Sequence, residues 1–438
     1  MTTRSAVRSP IWKRTARFVG GAFTAVLMSF SPRLHAAPAP DCVTCHDQFT
    51  PQAVMDWRNS QHAEDAIGCD GCHKGDHRSA RDVGSLKTIT AQTCGGCHER
   101  QMQQFASGKH AKAWEAAQAL PTAHALPTAH ALPMATGPGA KACASCHKIG
   151  LKSEAEVGRL RSQGSLFGHA SCDSCHTRHM FSVNEARQPQ ACQTCHMGFD
   201  HPQWEMYSSS KHGVRALLRQ NGTLPANAPA PRCQDCHMAN GNHAVRAPWG
   251  FFGVRLPLPD DPQWRADQLT IMQALDLLDA AGAPTLRLET ARDLDLLRTS
   301  EQVFEAERER MFETCNTCHS GNFVRAEFER GDEIIREADR LFARAIRIVA
   351  GLYADGTLPR AAGDAQGMPD LLAMRDAPSP IERRLFEMHL EHRLRAFQGA
   401  FHSNPDHSLA QGFSRLAGDL ADIETMAGEL RTRAAKPH

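Results

Sequence analysis

Two tyrosines and six tryptophans are few large rings for a chain of 438 residues. An interior of ordinary size then needs something besides aromatic side chains to fill it. Net charge is nearly absent as well. The 49 Lys and Arg against 48 Asp and Glu leave a formal +1, which excludes the basic footprint that nucleic-acid binding requires. Long apolar runs are also missing. The one near the N-terminus, Phe18 to Phe30, falls short of the roughly 20 residues a membrane-spanning helix needs. It follows Arg4, Arg8, Lys13, Arg14 and Arg17 and precedes the small residues Ala36, Ala37 and Ala39, the pattern of an export signal. Residues 1–39 are therefore expected to be a signal peptide, and the mature protein soluble and periplasmic.

Cysteine, by contrast, is plentiful. Exported cysteines usually mean disulfides, but here all 16 fall into one repeated pattern, Cys-x-x-Cys-His. The eight copies are Cys42, Cys45 and His46; Cys69, Cys72 and His73; Cys94, Cys97 and His98; Cys143, Cys146 and His147. They continue with Cys172, Cys175 and His176; Cys192, Cys195 and His196; Cys233, Cys236 and His237; Cys315, Cys318 and His319. A disulfide framework has no reason to place a histidine after every second cysteine. Zinc sites pair two Cys-x-x-Cys units around one metal and do not demand that histidine. The spacing is the attachment signature of c-type haem. Two thiols add to the two vinyl groups of one porphyrin, and the imidazole that follows lies under its iron. Eight covalently bound c-type haems are expected, and they are the missing filler.

Seven copies fall in residues 40–262, among short spacers rich in Gly, Pro and Ser, and the eighth in residues 263–438. The expected fold is mainly α: a haem-packed N-terminal part followed by long amphipathic helices. Trp264 to Leu278 reads as a helix that stops at Gly282 and Pro284, and Ser300 to Phe312 leads into the eighth motif. Ile334, Ala338, Leu341, Ala345, Ile348 and Leu352 recur at helical spacing. Ser379-Pro380-Ile381-Glu382 reads as a capping box, opening a helix with Leu385, Phe386 and Phe397. Leu409, Phe413, Leu416, Leu420, Ile423 and Leu430 mark the last. Residues 119–130 repeat ALPTAH in tandem, so His124 and His130 read as loop residues duplicated together, with a ligand role for one as the lesser alternative.

Sixteen histidines lie outside the motifs. A haem that only carries electrons is held by two axial ligands, whereas catalysis needs an open position. Three segments share an aromatic five residues before a histidine: Trp57 to His62, Phe105 to His110 and Tyr207 to His212. One structural task, the distal ligand, explains the repetition. His77, His179 and His243 follow motifs closely and His402 completes a set of seven, which leaves one iron open. His169, His389 and His392 could displace members of that set. His35, in the signal, and His438, the last residue, are set aside. Asp200-His201 stands apart. An acid beside an imidazole suits proton transfer to a ligand on the open iron; alternatively Asp200 caps a turn and His201 is an axial ligand.

The eight motifs, the run CQTCHMGFDHPQWEMYSSSKHG and the segment SQHAEDAIGCDGCHKGDH resemble the hydroxylamine oxidoreductase family of octahaem cytochromes c, over about Cys42 to Asp406. The resemblance implies that the catalytic haem is the one on the fourth motif, with His147 proximal and Asp200 and His201 over the iron. It also implies an exported, mostly helical homotrimer with contacts through the C-terminal helices. Hydroxylamine-oxidising members carry a crosslinking tyrosine soon after a His-x-x-Pro-Asp segment. Here Asp406 is followed by no tyrosine to the end of the chain, the only two being Tyr207 and Tyr353. Macrocycle distortion is one lever on haem electronics, and its absence points to reduction of nitrite or hydroxylamine to ammonia. Electrons would come from a quinol-linked or small cytochrome donor. Hydroxylamine oxidation without the crosslink is the alternative within the family. A pure electron-transfer protein with His201 as eighth distal ligand is the alternative outside it.

Overall fold

The computed structural model describes residues 40–75, 77, 79–119, 145–163, 168–198, 200–360, 367–372, 374, 377 and 379–436. The expected signal peptide, Cys143, His124, His130 and His438 lie outside them. The described residues are mainly helical, and their only β-structure is two isolated bridges, Arg255 with Arg298 and Leu278 with Pro284. None of their helices is long and apolar enough to cross a membrane.

Up to about residue 245 the helices are short, from three or four residues at the motifs to ten at Pro40–Phe49 and Lys211–Gln220. Each motif that is described in full supplies about one helical turn, the first inside Pro40–Phe49 and the eighth at the end of Glu301–Asn316. The His73, His98, His176, His196 and His319 amides donate to the carbonyl of their first cysteine at 2.8–3.1 Å. That closes the i, i+4 ring, and side chains at i, i+3 and i+4 then share one face. Both thiols and the imidazole therefore face the same side. The extended apolar clusters of the described residues begin only at Trp249 and Phe252, so the N-terminal part builds no comparable core from its own side chains.

The rest is a helical bundle. Its spine is one helix of 34 residues, Gly321–Ala354, N-capped by Ser320. Pro262–Ala274 packs on it, N-capped by Asp261, together with Ser414–Ala434 and a rod running from Pro380–Glu387 through a π turn, Met388–Arg393, into Leu394–Phe401. Ile271, Phe342, Ala345, Ile346, Leu385, Leu416 and Ile423 are fully or almost fully buried between them. The capping box expected at Ser379 does not form. The helix does begin at Pro380, but the Ser379 side chain makes no cap bond, and Glu382 instead accepts a hydrogen bond from the Tyr353 hydroxyl. The last apolar stripe is divided between a π segment, Asp406–Phe413, and the terminal helix.

A buried polar knot ties the bundle together. Arg393 and Asp339 are both inaccessible to solvent. Arg393 Nε and Nη2 reach Asp339 Oδ1 at 2.8 and 2.7 Å. Trp264 Nε1 and Gln268 Nε2 donate to Oδ2 at 2.8 and 3.0 Å. The remaining guanidinium donors hold the carbonyls of Phe252 and Gly253 at 2.8 and 2.9 Å. Both buried charges have partners, as they must, while Gln268 Oε1 is left without a hydrogen bond.

Candidate haem array and its exceptional site

Each of the eight motif histidines faces a second imidazole. Ring centroids are 6.2 Å apart for His46 and His77, His98 and His62, and His73 and His179. They are 5.9 Å apart for His196 and His110, 6.3 Å for His176 and His243, 6.0 Å for His319 and His212, and 6.3 Å for His237 and His402. His147 faces His201 at 6.3 Å. Two imidazoles on one metal, with bonds of about 2 Å and roughly 1 Å more from nitrogen to each ring centre, give centroids about 6 Å apart. The residues present fit haem.

The ring nitrogens agree with that fit. The Nδ1 atoms of His147, His237, His243 and His402 lie 3.0, 3.3, 3.0 and 2.8 Å from the carbonyls of Ala113, Arg246, Gly241 and Gln398. Those of His46, His77 and His196 meet Thr50, Asp82 and Gln203 at 2.8, 3.0 and 3.2 Å. Such second partners fix the tautomer and leave Nε2 for a metal. Burial, helped by neighbouring imidazoles, pushes His196 and His237 down to about 4 and His110 to about 3, so these rings are neutral, as ligation requires.

The three aromatic-to-histidine segments do share one local design. The hydroxyls of Ser60, Ser107 and Ser210 donate back to the carbonyls of Trp57, Gln104 and Tyr207 at 2.7, 2.9 and 2.7 Å. Ser60 and Ser210 then cap the next helix through the amides of Ala63 and Gly213, which puts His62 and His212 in a first turn. Gly108 takes the capping position before His110. The alternative histidines do other work. His389 is buried and stacked on Phe342 at 5.4 Å, and His392 pairs with Asp419 at 2.5 Å. His169 is buried.

The thiols set the order in which the motifs meet. Cys42 is close enough to Cys69, and Cys94 and Cys97 to Cys72, to raise those thiols' pKa by charge. Cys94 lies beside Cys172, Cys175 near Cys192 and Cys195, and Cys192 beside Cys233. Cys236 lies near Cys315 and Cys318. The run is thus first, second, third, fifth, sixth, seventh, eighth motif. The fourth joins it sideways through Cys146, which contacts Cys195 and lies 3.9 Å from the Thr194 carbonyl.

That side branch carries the exceptional pair. Gly150, three residues after His147, lies so close to Trp114 that a Cβ would come within 2.1 Å of its amide nitrogen. Leu151 N donates to the Ala111 carbonyl at 2.9 Å, so the segment that anchors His147 through Ala113 is locked against the motif. His201 stands nearly perpendicular to His147, at 84°, and is also 6.2 Å from His196. Its Nδ1 is 3.3 Å from Asp200 Oδ1. Burial raises the Asp200 carboxyl, but the hydrogen bond and charge of His201 outweigh it and hold it below the ordinary range. Three neighbours escaped the sequence reading. Phe251 stacks on His201 at 5.5 Å and 19°, Gln203 links His196 to Gln398 Oε1 at 2.9 Å, and Glu205 braces the Gly198 amide at 3.0 Å. Gln203 and Glu205 lie in the HPQWE string beside His201; Phe251 carried no signal.

Fold and site together define a multihaem c-type cytochrome. The comparisons narrow this. The family described as seven times multi-haem cytochrome CxxCH matches residues 64–252 and 295–365, well over half the chain, and the protein belongs to it. The matched segments enclose seven motifs; Cys42 to His46 lies before them. A probable nitrite reductase–hydroxylamine oxidoreductase fusion protein of Kuenenia stuttgartiensis is 24% identical over 94% of this chain. The chain spans about half (53%) of that relative's length. Among solved structures, the reducing HAO-like protein complex of Kuenenia stuttgartiensis is similar with TM-score 0.65 and 25% identity, over 90% of this chain and 85% of that one. A hypothetical multihaem protein shares the fold with TM-score 0.66 and 20% identity, over 92% of this chain and 98% of its own.

Proposed function

We propose that the protein is an exported octahaem cytochrome that reduces nitrite, hydroxylamine or both to ammonia. The carrying observation is the contrast between seven imidazole pairs inclined by 21–59° and an eighth, His147 with His201, that stands at 84° on the side branch with Asp200 beside its outer ring. Haem in the motifs would supply electrons along the thiol-linked run and, on the fourth motif, an iron that binds the nitrogen oxide. His147 would hold that iron, its ring fixed by the Ala113 carbonyl. His201 would donate a proton to the oxygen that leaves, and Asp200 orients the imidazole for it. The two tyrosines are engaged elsewhere, Tyr207 with the Pro231 carbonyl at 3.0 Å and Tyr353 with Glu382, which supports the reductive direction over a crosslinked, oxidising site. The names of the similar proteins, one a nitrite reductase–hydroxylamine oxidoreductase fusion and one a reducing HAO-like complex, point the same way.

The proposal carries its organisation with it: residues 1–39 removed on export to the periplasm, residues 40–262 holding seven haems, residues 263–438 holding the eighth, and a homotrimer fed by a small cytochrome or quinol-linked donor. Two matched assays on purified holoprotein test the function. One supplies nitrite or hydroxylamine with a low-potential dye and measures ammonium; the other supplies hydroxylamine with an oxidised acceptor. Ammonium formation should far outpace acceptor reduction, and the reverse would move the protein to hydroxylamine oxidation. One observation favours a second reading: 6.3 Å between His147 and His201 equals the spacing of the other pairs. A ferric spectrum without any high-spin haem would make the protein an electron carrier with His201 as ligand.

A further inference from the structure

Phe251 lies between His201 and the helical bundle, on a segment fixed from both sides. Arg298 Nε donates to the Pro248 carbonyl at 2.8 Å and its Nη2 to that of Ala247. The Phe252 and Leu256 amides donate to the carbonyls of Leu296 and Arg298 at 3.2 and 2.6 Å. From the other side the buried Arg393 takes the Phe252 and Gly253 carbonyls. Gly253 sits at φ +61°, where a Cβ would also come within 3.0 Å of the Phe397 ring, so the turn has no room to relax. Phe252 is 1% exposed. The Phe251 ring therefore projects from a backbone that cannot move, the kind of support a precise site needs.

His201 has far weaker constraints of its own. It is nearly equidistant from two motif histidines, 6.3 Å from His147 and 6.2 Å from His196. Asp200, its polar side-chain partner, is more than a third exposed. In the seven other pairs the rings are inclined by 21–59°; His201 stands at 84° to His147 and lies almost parallel to Phe251 instead. Its plane follows the phenylalanine.

We propose that Phe251 is a positioning residue: stacked on His201 and immobilised through Arg393 and Arg298, it keeps the imidazole beside Asp200 and prevents it from becoming the sixth ligand of the iron held by His147. This rests on the reading above that this iron is the reacting one. Without the ring, His201 can rotate about its side-chain torsions until a nitrogen points at the metal, its 6.3 Å spacing from His147 already being that of the other pairs.

The test uses holoprotein and does not depend on turnover. Ferric spectra and cyanide titrations are recorded for the wild type, Phe251→Ala, Phe251→Leu, which keeps most of the apolar volume should the smaller residue fail to fold, and Phe251→Tyr, which keeps the ring. Wild type and Phe251→Tyr should show one high-spin haem. The Ala and Leu variants, with the same haem count, should turn it low-spin and bind cyanide roughly fivefold more weakly, the scale of one aromatic stacking contact. High-spin haem and cyanide affinity unchanged in the Ala and Leu variants would overturn the positioning role and leave the proposed function standing. A wild type with no high-spin haem would overturn both.

Discussion

Replacing Arg393 by methionine should uncouple the helical bundle from the segment that reaches the His201 site. The change removes both contacts to Asp339 and orphans the Phe252 and Gly253 carbonyls, while the methionine keeps part of the packing against Phe342 and Phe397, over which the guanidinium lies at 5.8 and 5.6 Å. Breaking one side of a buried ion pair costs about 3–5 kcal/mol. Trp264 and Gln268 still donate to Asp339, which places that contribution near the lower end. Two buried carbonyls without partners add about 1–3 kcal/mol each. The sum expected is roughly 5 kcal/mol. At about 2–4 °C per kcal/mol for a unit of this size, the helices should melt some 10–20 °C lower, as followed by circular dichroism. Asp339→Asn added to Arg393→Met removes the stranded charge and should recover about 2 kcal/mol. A single variant that costs less than about 1 kcal/mol, or a double variant equal to the sum of its singles, would refute the view that these two residues act as one unit.

Three further outcomes are expected. His201→Ala should slow nitrite turnover by about a hundredfold or more, the scale of a lost general acid, with haem content unchanged in the pyridine haemochrome assay; full activity would remove it from the site. Cys42→Ser with Cys45→Ser should lower the haem count by one and leave the others attached, although the family match begins beyond this motif; an unchanged count would mean that the first motif holds no haem. His389, whose Nδ1 is buried without a hydrogen bond, is pushed down to about 3 by burial first and by Arg393 second. An unfolded imidazole takes its proton near ~6.5. Between those values the unfolded chain binds the proton the folded one refuses, so the stability is complete above ~6.5 and lost as pH falls toward 3. At pH 5 that loss is about 2 kcal/mol relative to pH 8. His389→Leu should flatten the dependence by that amount in denaturant titrations, and parallel curves would contradict the assignment.

What could be read from the chain was local. Covalent attachment imposes a fixed spacing within one helical turn, so Cys-x-x-Cys-His is visible without knowing the fold. The serine-capped segments before His62 and His212 are local too, and repetition gave them away. Which imidazole would face which motif was not legible. His237 and His402 meet across 165 residues of chain, and no spacing rule spans that. Phe251 was unreadable for the same reason: it stacks on His201, fifty residues earlier, and its backbone is fixed through Phe252 and Gly253 by Arg393, 142 later. The capping box at Ser379 failed because a tertiary contact, the Tyr353 hydroxyl, claimed the glutamate that a local rule had assigned to the helix end.

The sideways attachment of the fourth motif has an architectural consequence. Because Cys192 touches Cys233 without passing through Cys146, the run of motifs stays unbroken if the fourth is taken away. On the proposed function, the conductor and the workshop are separable parts sharing one doorway at the sixth motif. A lineage could lose or refit the workshop, changing what it makes, while current still flowed from one end of the molecule to the other.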